Sequence, residues 1–220
     1  MNRIYISLFM TLMLFIASCN NAQTSNSPEN PVQLSDYELY CTCPHTTLLI
    51  QPYNKMTVAE ANKLKSELEN NIPKLLDVIV TVKILPTKQL PDSLKNDAKT
   101  RYRADKIISW QKQQVDTCKE TTTIMGLIHD DISLPYKEHS DWGVLGLSFK
   151  GQQTCIISTY RVRNADKNLW KVATHEFIHT FYAYGHCPKK DPKCLMCDAN
   201  GKPNFQNQTE LCDYCKEHIY

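Results

Sequence analysis

An H-E-x-x-H run beginning at His175 limits what this chain can fold into more than any other feature. His175 and His179 are four residues apart, so on an α-helix both imidazoles lie on one face about one turn apart and can reach the same Zn²⁺. Glu176, between them, would face a water molecule on that metal. Neither Gly nor Pro occurs in residues 168–184, which predicts a helix that ends at Gly185. The run is typical of a metallopeptidase site with Glu176 as the catalytic base.

A third zinc ligand has to come from beyond this helix. If the helix continued, His186 would lie on the same face as His175, but at 1.5 Å per residue it would be about 16 Å away. Gly185 can adopt a positive φ at a helix C-terminus, which predicts a turn that returns His186 to the metal. The alternative is that His186 is an exposed loop residue and the third ligand lies elsewhere. Three neutral imidazoles would leave the fourth zinc position to water, as a catalytic site requires.

A cysteine-rich tail follows the histidines. Cys187, Cys194, Cys212 and Cys215 offer four thiolates, two of them in a C-x-x-C motif, which is typical of a closed structural zinc site. The alternative is disulfide formation, because an exported chain meets oxidising conditions. Zinc is favoured, since it would tie down a tail that has few apolar residues. Cys197 is a fifth thiol that could replace one of the ligands.

The part of the chain from His175 to Cys215 resembles the archaemetzincin family. The family signature runs from H-E-x-x-H to a third histidine followed directly by cysteine, then C-x-M, then C-x-x-C. This chain contains each part, in His186-Cys187, Cys194-Leu195-Met196 and Cys212-Asp213-Tyr214-Cys215. The likeness spans roughly residues 46–218, because four upstream segments are also similar in order and spacing: residues 101–104, 124–131, 142–148 and 156–163.

The resemblance implies a metzincin-like catalytic domain with two zinc ions per chain. His175, His179 and His186 would bind the catalytic zinc. Met196 would be the Met-turn residue beneath that metal, which is a packing role. The structural zinc would be bound by the four tail cysteines, Cys187, Cys194, Cys212 and Cys215.

The chain departs from the family pattern at two points. Tyr182 stands where the family has glycine, and His186 follows His179 by seven residues instead of six, so one residue is inserted. Cys197 is also an additional thiol with no place in the pattern. Neither change removes a reactive group, and the insertion bears on the geometry of the third ligand.

Strands that alternate with helices predict an α/β (α+β) fold with a twisted mixed β-sheet packed by helices. The predicted strands are 46–51, 77–85, 121–129, 142–149 and 154–160, and the helices that precede the zinc helix are 58–70 and 101–114. The metzincin likeness would make one strand near the site an exposed antiparallel edge that pairs with an extended peptide. The alternative is an interior strand without a ligand. The candidate edge residues are Val144, Leu145, Gly146, Leu147 and Ser148.

The N-terminal residues predict export. Arg3 precedes an apolar stretch, residues 4–17, which is short for a membrane span and has the length of a signal-peptide core. Small residues before Cys19 look like a bacterial lipobox, which predicts a lipoprotein signal peptide at 1–18 and a lipid on Cys19. The lipid would anchor the protein at the cell envelope, with the outer membrane favoured and a periplasmic or surface-facing domain. The alternative is an ordinary secretory leader or an uncleaved anchor.

The remaining composition predicts one monomeric domain. Residues 19–40 begin with a polar stretch rich in Asn, Ser and Gln, which predicts a flexible tether, and residues 41–220 suffice for a single core. Lys and Arg number 25 against 23 acidic residues, so the chain lacks the excess of basic residues that is typical of nucleic-acid-binding proteins. Cys41 and Cys43 are expected as disulfides or buried thiols, and Cys118 and Cys155 could form a disulfide in an oxidising compartment.

These features predict a zinc-dependent peptidase whose partner is a peptide or protein substrate. Zinc would polarise the scissile carbonyl and activate water, and Glu176 would act as the general base. An alternative from another class is a catalytically silent, zinc-stabilised binding module at the cell envelope. Glu176 argues against that alternative, since a binding module has no chemical need for a base at this position.

Overall fold

The structure is a computed structural model that describes residues 45–113, 121–199 and 204–219, all within one compact unit. The predicted signal peptide, the lipidation residue Cys19 and the tether lie outside the described residues, as do Cys41, Cys43 and Cys118. No helix in the described part of the chain has both the length and the apolar composition that crossing a membrane requires.

Eight strands and four α-helices make up the described residues. The strands are β1 His45–Pro52, β2 Ile79–Ile84, β3 Tyr102–Arg103, β4 Thr122–Ile128, β5 Ile132–Tyr136, β6 His139–Val144, β7 Gly146–Ser148 and β8 Thr154–Ser158. The helices are α1 Val58–Leu75, α2 Ala104–Gln113, α3 Ala165–Phe181 and α4 Asp213–His218, with a single 3₁₀ turn at Asp92–Leu94.

The larger sheet has five strands in the order β2-β1-β4-β8-β7. The first four are parallel, and β7 runs antiparallel to β8 at the edge. A second sheet, β3-β5-β6, pairs β3 parallel and β6 antiparallel to β5. The predicted α/β class with a mixed sheet packed by helices is therefore confirmed.

Helix α1 begins and packs as its sequence dictates. Thr57 accepts a hydrogen bond from the backbone N–H of Glu60, and the Glu60 carboxylate accepts one from the backbone N–H of Thr57, which closes a capping box. Apolar residues then recur every three or four positions and are all buried: Ala61, Leu64, Leu68 and Ile72. The helix runs five residues past its predicted end, to Leu75, with Pro73 in its last turn.

Alternation along the central strands gives the sheet two apolar faces. In β8, Cys155 and Ile157 pack in the core that α1 and α3 share, whereas Ile156 packs in a second core with Ile107 of α2. Both faces are covered, which is why β4 and β8 read as continuous apolar runs. Helix α3 is thereby held against the sheet beside the edge strand β7.

The prediction of one strand at 142–149 is wrong, because this segment is divided between the two sheets. Val144 pairs with Ile132 in the second sheet, and the chain then crosses to β7 in the first sheet. Strand β5 was not predicted, since Pro135 lies inside it and interrupts the strand pattern. The pairing of β5 with β6 is irregular between Leu134 and Tyr136, as a proline in a ladder requires.

Candidate metal centres and active-site cleft

Helix α3 carries the H-E-x-x-H run. It extends from Ala165 to Phe181, three residues earlier at each end than predicted. Tyr182 caps it in an α-helical conformation, and Ala183 then adopts a left-handed conformation with φ 52°. The predicted role of Gly185 in this turn is therefore wrong, because the positive φ belongs to Ala183.

The three histidines come together at one point. The ligand atoms of His175, His179 and His186 all lie within 4.8 Å of one another, and the Nε2 atoms of the first two are 3.0 Å apart. Two nitrogens on one tetrahedral zinc, each at about 2.1 Å, would be about 3.4 Å apart. The cluster therefore has the dimensions of a three-histidine metal site. His186 reaches it despite the insertion, and its side chain stays 48% exposed.

Backbone carbonyls fix the orientation of two of these rings. The Nδ1–H of His175 donates to the Leu195 carbonyl at 2.8 Å, and the Nδ1–H of His179 donates to the Tyr184 carbonyl at 2.6 Å. These bonds leave the Nε2 lone pairs directed at the shared point. Burial lowers the pKa of His175 and of His179 to about 4, so both rings are neutral at neutral pH and can bind a metal.

Glu176 lies against the edge strand. The side-chain hydroxyl of Ser148 donates to Glu176 Oε2 at 2.6 Å, and Glu176 is only 8% exposed. Burial raises the pKa of Glu176 above its usual range. Gly146 provides the space for this carboxylate, because a Cβ there would lie 2.7 Å from Glu176 Oε1. Sequence reasoning named Ser148 and Gly146 only as strand residues and missed both contacts.

The four cysteines form a second cluster. Cys187 Sγ lies 3.7 Å from Cys212 Sγ, Cys194 Sγ lies 3.6 Å from Cys215 Sγ, and all four sulfurs are within 4.8 Å of one another. Four sulfurs on a tetrahedral zinc at 2.3 Å would be about 3.8 Å apart, whereas a disulfide bond is about 2.05 Å long. All four are free thiols, so the arrangement fits a metal and not the disulfide alternative.

A short segment connects the two clusters. The carbonyl of Leu195 accepts from His175, and the carbonyl of Met196 accepts from the backbone N–H of Cys187 at 2.7 Å. The Leu195 N–H in turn donates to the Glu210 carbonyl at 2.7 Å. Met196, the predicted Met-turn residue, is fully buried in the core on the α3 side of the sheet.

A cleft of about 1200 Å³ opens over the histidine cluster. The β5–β6 hairpin and β7 border one side, with Leu134, Tyr136 and Trp142 in the hairpin wall. Helix α3 and the C-terminal segment border the other side. Within the described residues β7 pairs on one side only, with β8, so its other edge faces the cleft region. Of the predicted edge residues, Val144 belongs to β6 instead, while Leu145 still accepts a hydrogen bond from Ser158 of β8.

Comparisons with known proteins give a likeness in structure alone. No protein-family model matches the sequence, and no curated protein matches it. The archaemetzincin of Methanopyrus kandleri matches with a TM-score of 0.63 over 80% of this chain and 93% of that one, at 18% identity. The archaemetzincin of Archaeoglobus fulgidus, solved in complex with malonate, matches with a TM-score of 0.59 over 78% of this chain and 99% of that one, at 19% identity. The fold is that of the archaemetzincins.

Two further cysteines lie outside the four-cysteine cluster in this archaemetzincin-like fold. Cys155 is a free, fully buried thiol, so the disulfide with Cys118 considered above is not formed. Burial raises the pKa of the Cys155 thiol, which keeps it protonated and inert. Cys197 stands outside the four-cysteine cluster and lines the cleft, half-buried.

Proposed function

We propose that the protein is a zinc-dependent peptidase. The observation that carries this proposal is the convergence of three histidine side chains with the Glu176 carboxylate in a cleft bordered by a strand edge. The archaemetzincin-like fold supports it. A catalytically silent binding module is not favoured, because such a module would have no use for a carboxylate held beside the metal ligands.

His175, His179 and His186 would hold the catalytic zinc through nitrogen atoms that already lie at suitable separations. Zinc bound there would polarise the scissile carbonyl and lower the pKa of a water molecule. The cysteine cluster would hold a second, structural zinc, which gives two zinc ions per chain.

Glu176 would act as the general base. It would accept a proton from the attacking water and pass that proton to the leaving amine. The hydrogen bond from Ser148 holds Oε2 of this carboxylate, and Gly146 leaves room for Oε1 on the side of the edge strand. The raised pKa of Glu176 favours this role, because a buried carboxylate holds a transferred proton more readily than an exposed one does.

An extended peptide would bind along β7. The edge residues Gly146, Leu147 and Ser148 can offer backbone hydrogen bonds to a substrate strand, and Glu176 lies directly beside them. The scissile bond would then pass over the three histidines. Val144 and Leu145 are not required for this pairing, since they lie before the edge strand.

Glu176→Ala tests the mechanism. The variant should retain about two zinc ions per chain by elemental analysis, because Glu176 is not a proposed ligand, and should lose about 10²–10⁴-fold in the rate of peptide hydrolysis. Glu217→Ala, an exposed glutamate on α4, is the control and should leave the rate unchanged. Unchanged hydrolysis by the zinc-loaded Glu176→Ala variant would exclude this mechanism.

We further propose that the protein is a lipoprotein of the cell envelope, anchored through Cys19. The support comes from the sequence, in the apolar stretch at residues 4–17 and the small residues before the cysteine. Labelled fatty acid supplied to expressing cells should be incorporated into the wild type and not into Cys19→Ser. A labelled Cys19→Ser variant would refute the assignment of this anchor.

A further inference from the structure

Lys171 is a buried charged residue beside the metal ligands. It lies on α3 four residues before His175, which puts it on the same helix face about one turn away. It lines the cleft, yet only 7% of the residue is exposed. A lysine is rarely buried to this extent without a partner.

The ammonium group of Lys171 has no charged partner among the described residues. Its Nζ donates to the backbone carbonyl of Phe205 and lies 5.8 Å from the Trp170 ring, and no ion pair with a described acidic side chain is formed. An ammonium group has three donors, so the one carbonyl leaves two to be satisfied. Burial lowers the pKa of Lys171, as expected where no negative charge compensates for the lost hydration.

The other charges of the cleft do not supply the missing partner. Arg163 also lines the cleft, is exposed, and forms no ion pair with a described residue. Arg161 is different, because two of its nitrogens bind Asp131 at 2.6 and 2.7 Å, which compensates its charge. Two acidic residues also line the cleft, but Glu176 accepts from Ser148 and Asp198 lies 3.9 Å from His186 Nδ1. Lys171 and Arg163 therefore remain without an ion pair among the described residues.

We propose that Lys171, with Arg163 as a more distant second cation, forms a subsite that binds a carboxylate group of the substrate. This inference rests on the proposed peptidase function and names its substrate class. One helical turn is about 5.4 Å, and an extended peptide rises about 3.3 Å per residue, so the carboxylate lies within about two residues of the scissile bond. It belongs to an Asp or Glu side chain or to the C-terminus of the substrate.

Peptide binding to zinc-loaded protein tests the subsite without requiring turnover. The probes are dye-labelled octapeptide pools, each with one position fixed as Asp or Asn and the rest randomised, made with a C-terminal acid or amide. Affinity is measured by fluorescence anisotropy in a Glu176→Ala background, so that no pool is cleaved. The expected result is binding about 10- to 100-fold tighter for the carboxylate form than for the matching amide, the range of a hydrogen bond to a charged group. Preference at a fixed Asp indicates a side chain, and preference for the C-terminal acid indicates the terminus.

Three variants separate charge recognition from structure. Lys171→Met should abolish the preference for the carboxylate form while leaving the affinity for amide pools unchanged, and Lys171→Arg should retain the preference. Lys167→Met, which removes an exposed lysine one turn earlier on α3, is the matched control and should keep the wild-type preference for the carboxylate form. Arg163→Gln, at an exposed position, should reduce the preference and make it less sensitive to salt.

Each outcome is decisive. Equal binding of all acid and amide pools, or an unchanged preference in folded Lys171→Met, would overturn the subsite. If Lys171→Met does not fold, the Arg163→Gln and Lys171→Arg results decide. Hydrolysis is measured separately, on protein with Glu176 intact. Carboxylate preference in binding without cleavage of any pool would refute the peptidase function and support the subsite. Cleavage without that preference would support the peptidase function and refute the subsite.

Discussion

Gly146→Ala should displace the proposed general base, Glu176, without changing the proposed zinc site. A Cβ at residue 146 would lie 2.7 Å from Oε1, 2.8 Å from Cγ and 3.0 Å from Cδ of Glu176, whereas ordinary contact begins at 3.4 Å. The Glu176 carboxylate must therefore move by about 0.7 Å, away from a strand that is itself fixed by pairing to β8. A displacement of about 1 Å at a catalytic group can cost about 10²-fold in rate. We expect kcat to fall about 10- to 100-fold.

The assay for this variant is steady-state hydrolysis of a quenched fluorescent peptide, with zinc content measured on the same preparation. The three atoms nearest to a Cβ at residue 146 all belong to Glu176 and none to a histidine, so zinc should stay at the wild-type level. Gly185→Ala is the matched control, because its nearest neighbour would be the flexible Lys150 Nζ at 2.9 Å, and its kcat should be nearly unchanged. Wild-type kcat in zinc-loaded Gly146→Ala would refute the argument that close packing of β7 holds the base.

Three other perturbations have defined outcomes. Ser148→Ala removes a hydrogen bond to the Glu176 carboxylate, worth about 1.5–3 kcal/mol, so kcat should fall at least about 10-fold. Ser148→Thr keeps the hydroxyl and should keep most activity, and equal rates for the two variants would contradict the role of Ser148. Ala183→Gly should raise the free energy of unfolding by about 0.5–1 kcal/mol in denaturant titration, because glycine relieves the φ of 52°, and a loss of stability would argue against that strain. Cys194→Ser should lower the zinc content from about two to about one and lower Tm, whereas an unchanged Tm would mean that the cysteines hold no structural metal.

The local features of the site could be predicted because they are properties of sequence spacing. Four-residue spacing on a helix determines that His175 and His179 share a face, and the class of the fold follows from alternating apolar runs. The conformation of the turn after α3 was harder to predict from the sequence. Glycine is the usual residue for a positive φ, so Gly185 was the natural choice, and nothing in the sequence marks Ala183 as the residue that adopts it.

Contacts between distant segments could not be predicted from spacing. The carbonyl partners of the histidines come from backbone atoms, which carry no sequence signal, and the contact of Ser148 with Glu176 depends on how β7 lies against α3. Lys171 was likewise missed, because only the packed structure reveals that it is buried. Strand β5 was missed for a local reason. Pro135 disfavours a strand in this segment, but pairing with β6 stabilises one.

The segment Cys194-Leu195-Met196 would connect the two proposed metal centres thermodynamically. Cys194 belongs to the cysteine cluster, and the Leu195 carbonyl orients His175 of the histidine cluster. The Met196 carbonyl accepts a hydrogen bond from the backbone N–H of Cys187. A metal ion bound at the cysteines would therefore order a histidine of the other cluster before that cluster binds its own ion. Binding free energies are reciprocal, so the factor by which either ion strengthens binding of the other is the same in both directions. We expect the two zinc affinities to be cooperative, and loss of the tail metal to weaken the catalytic one.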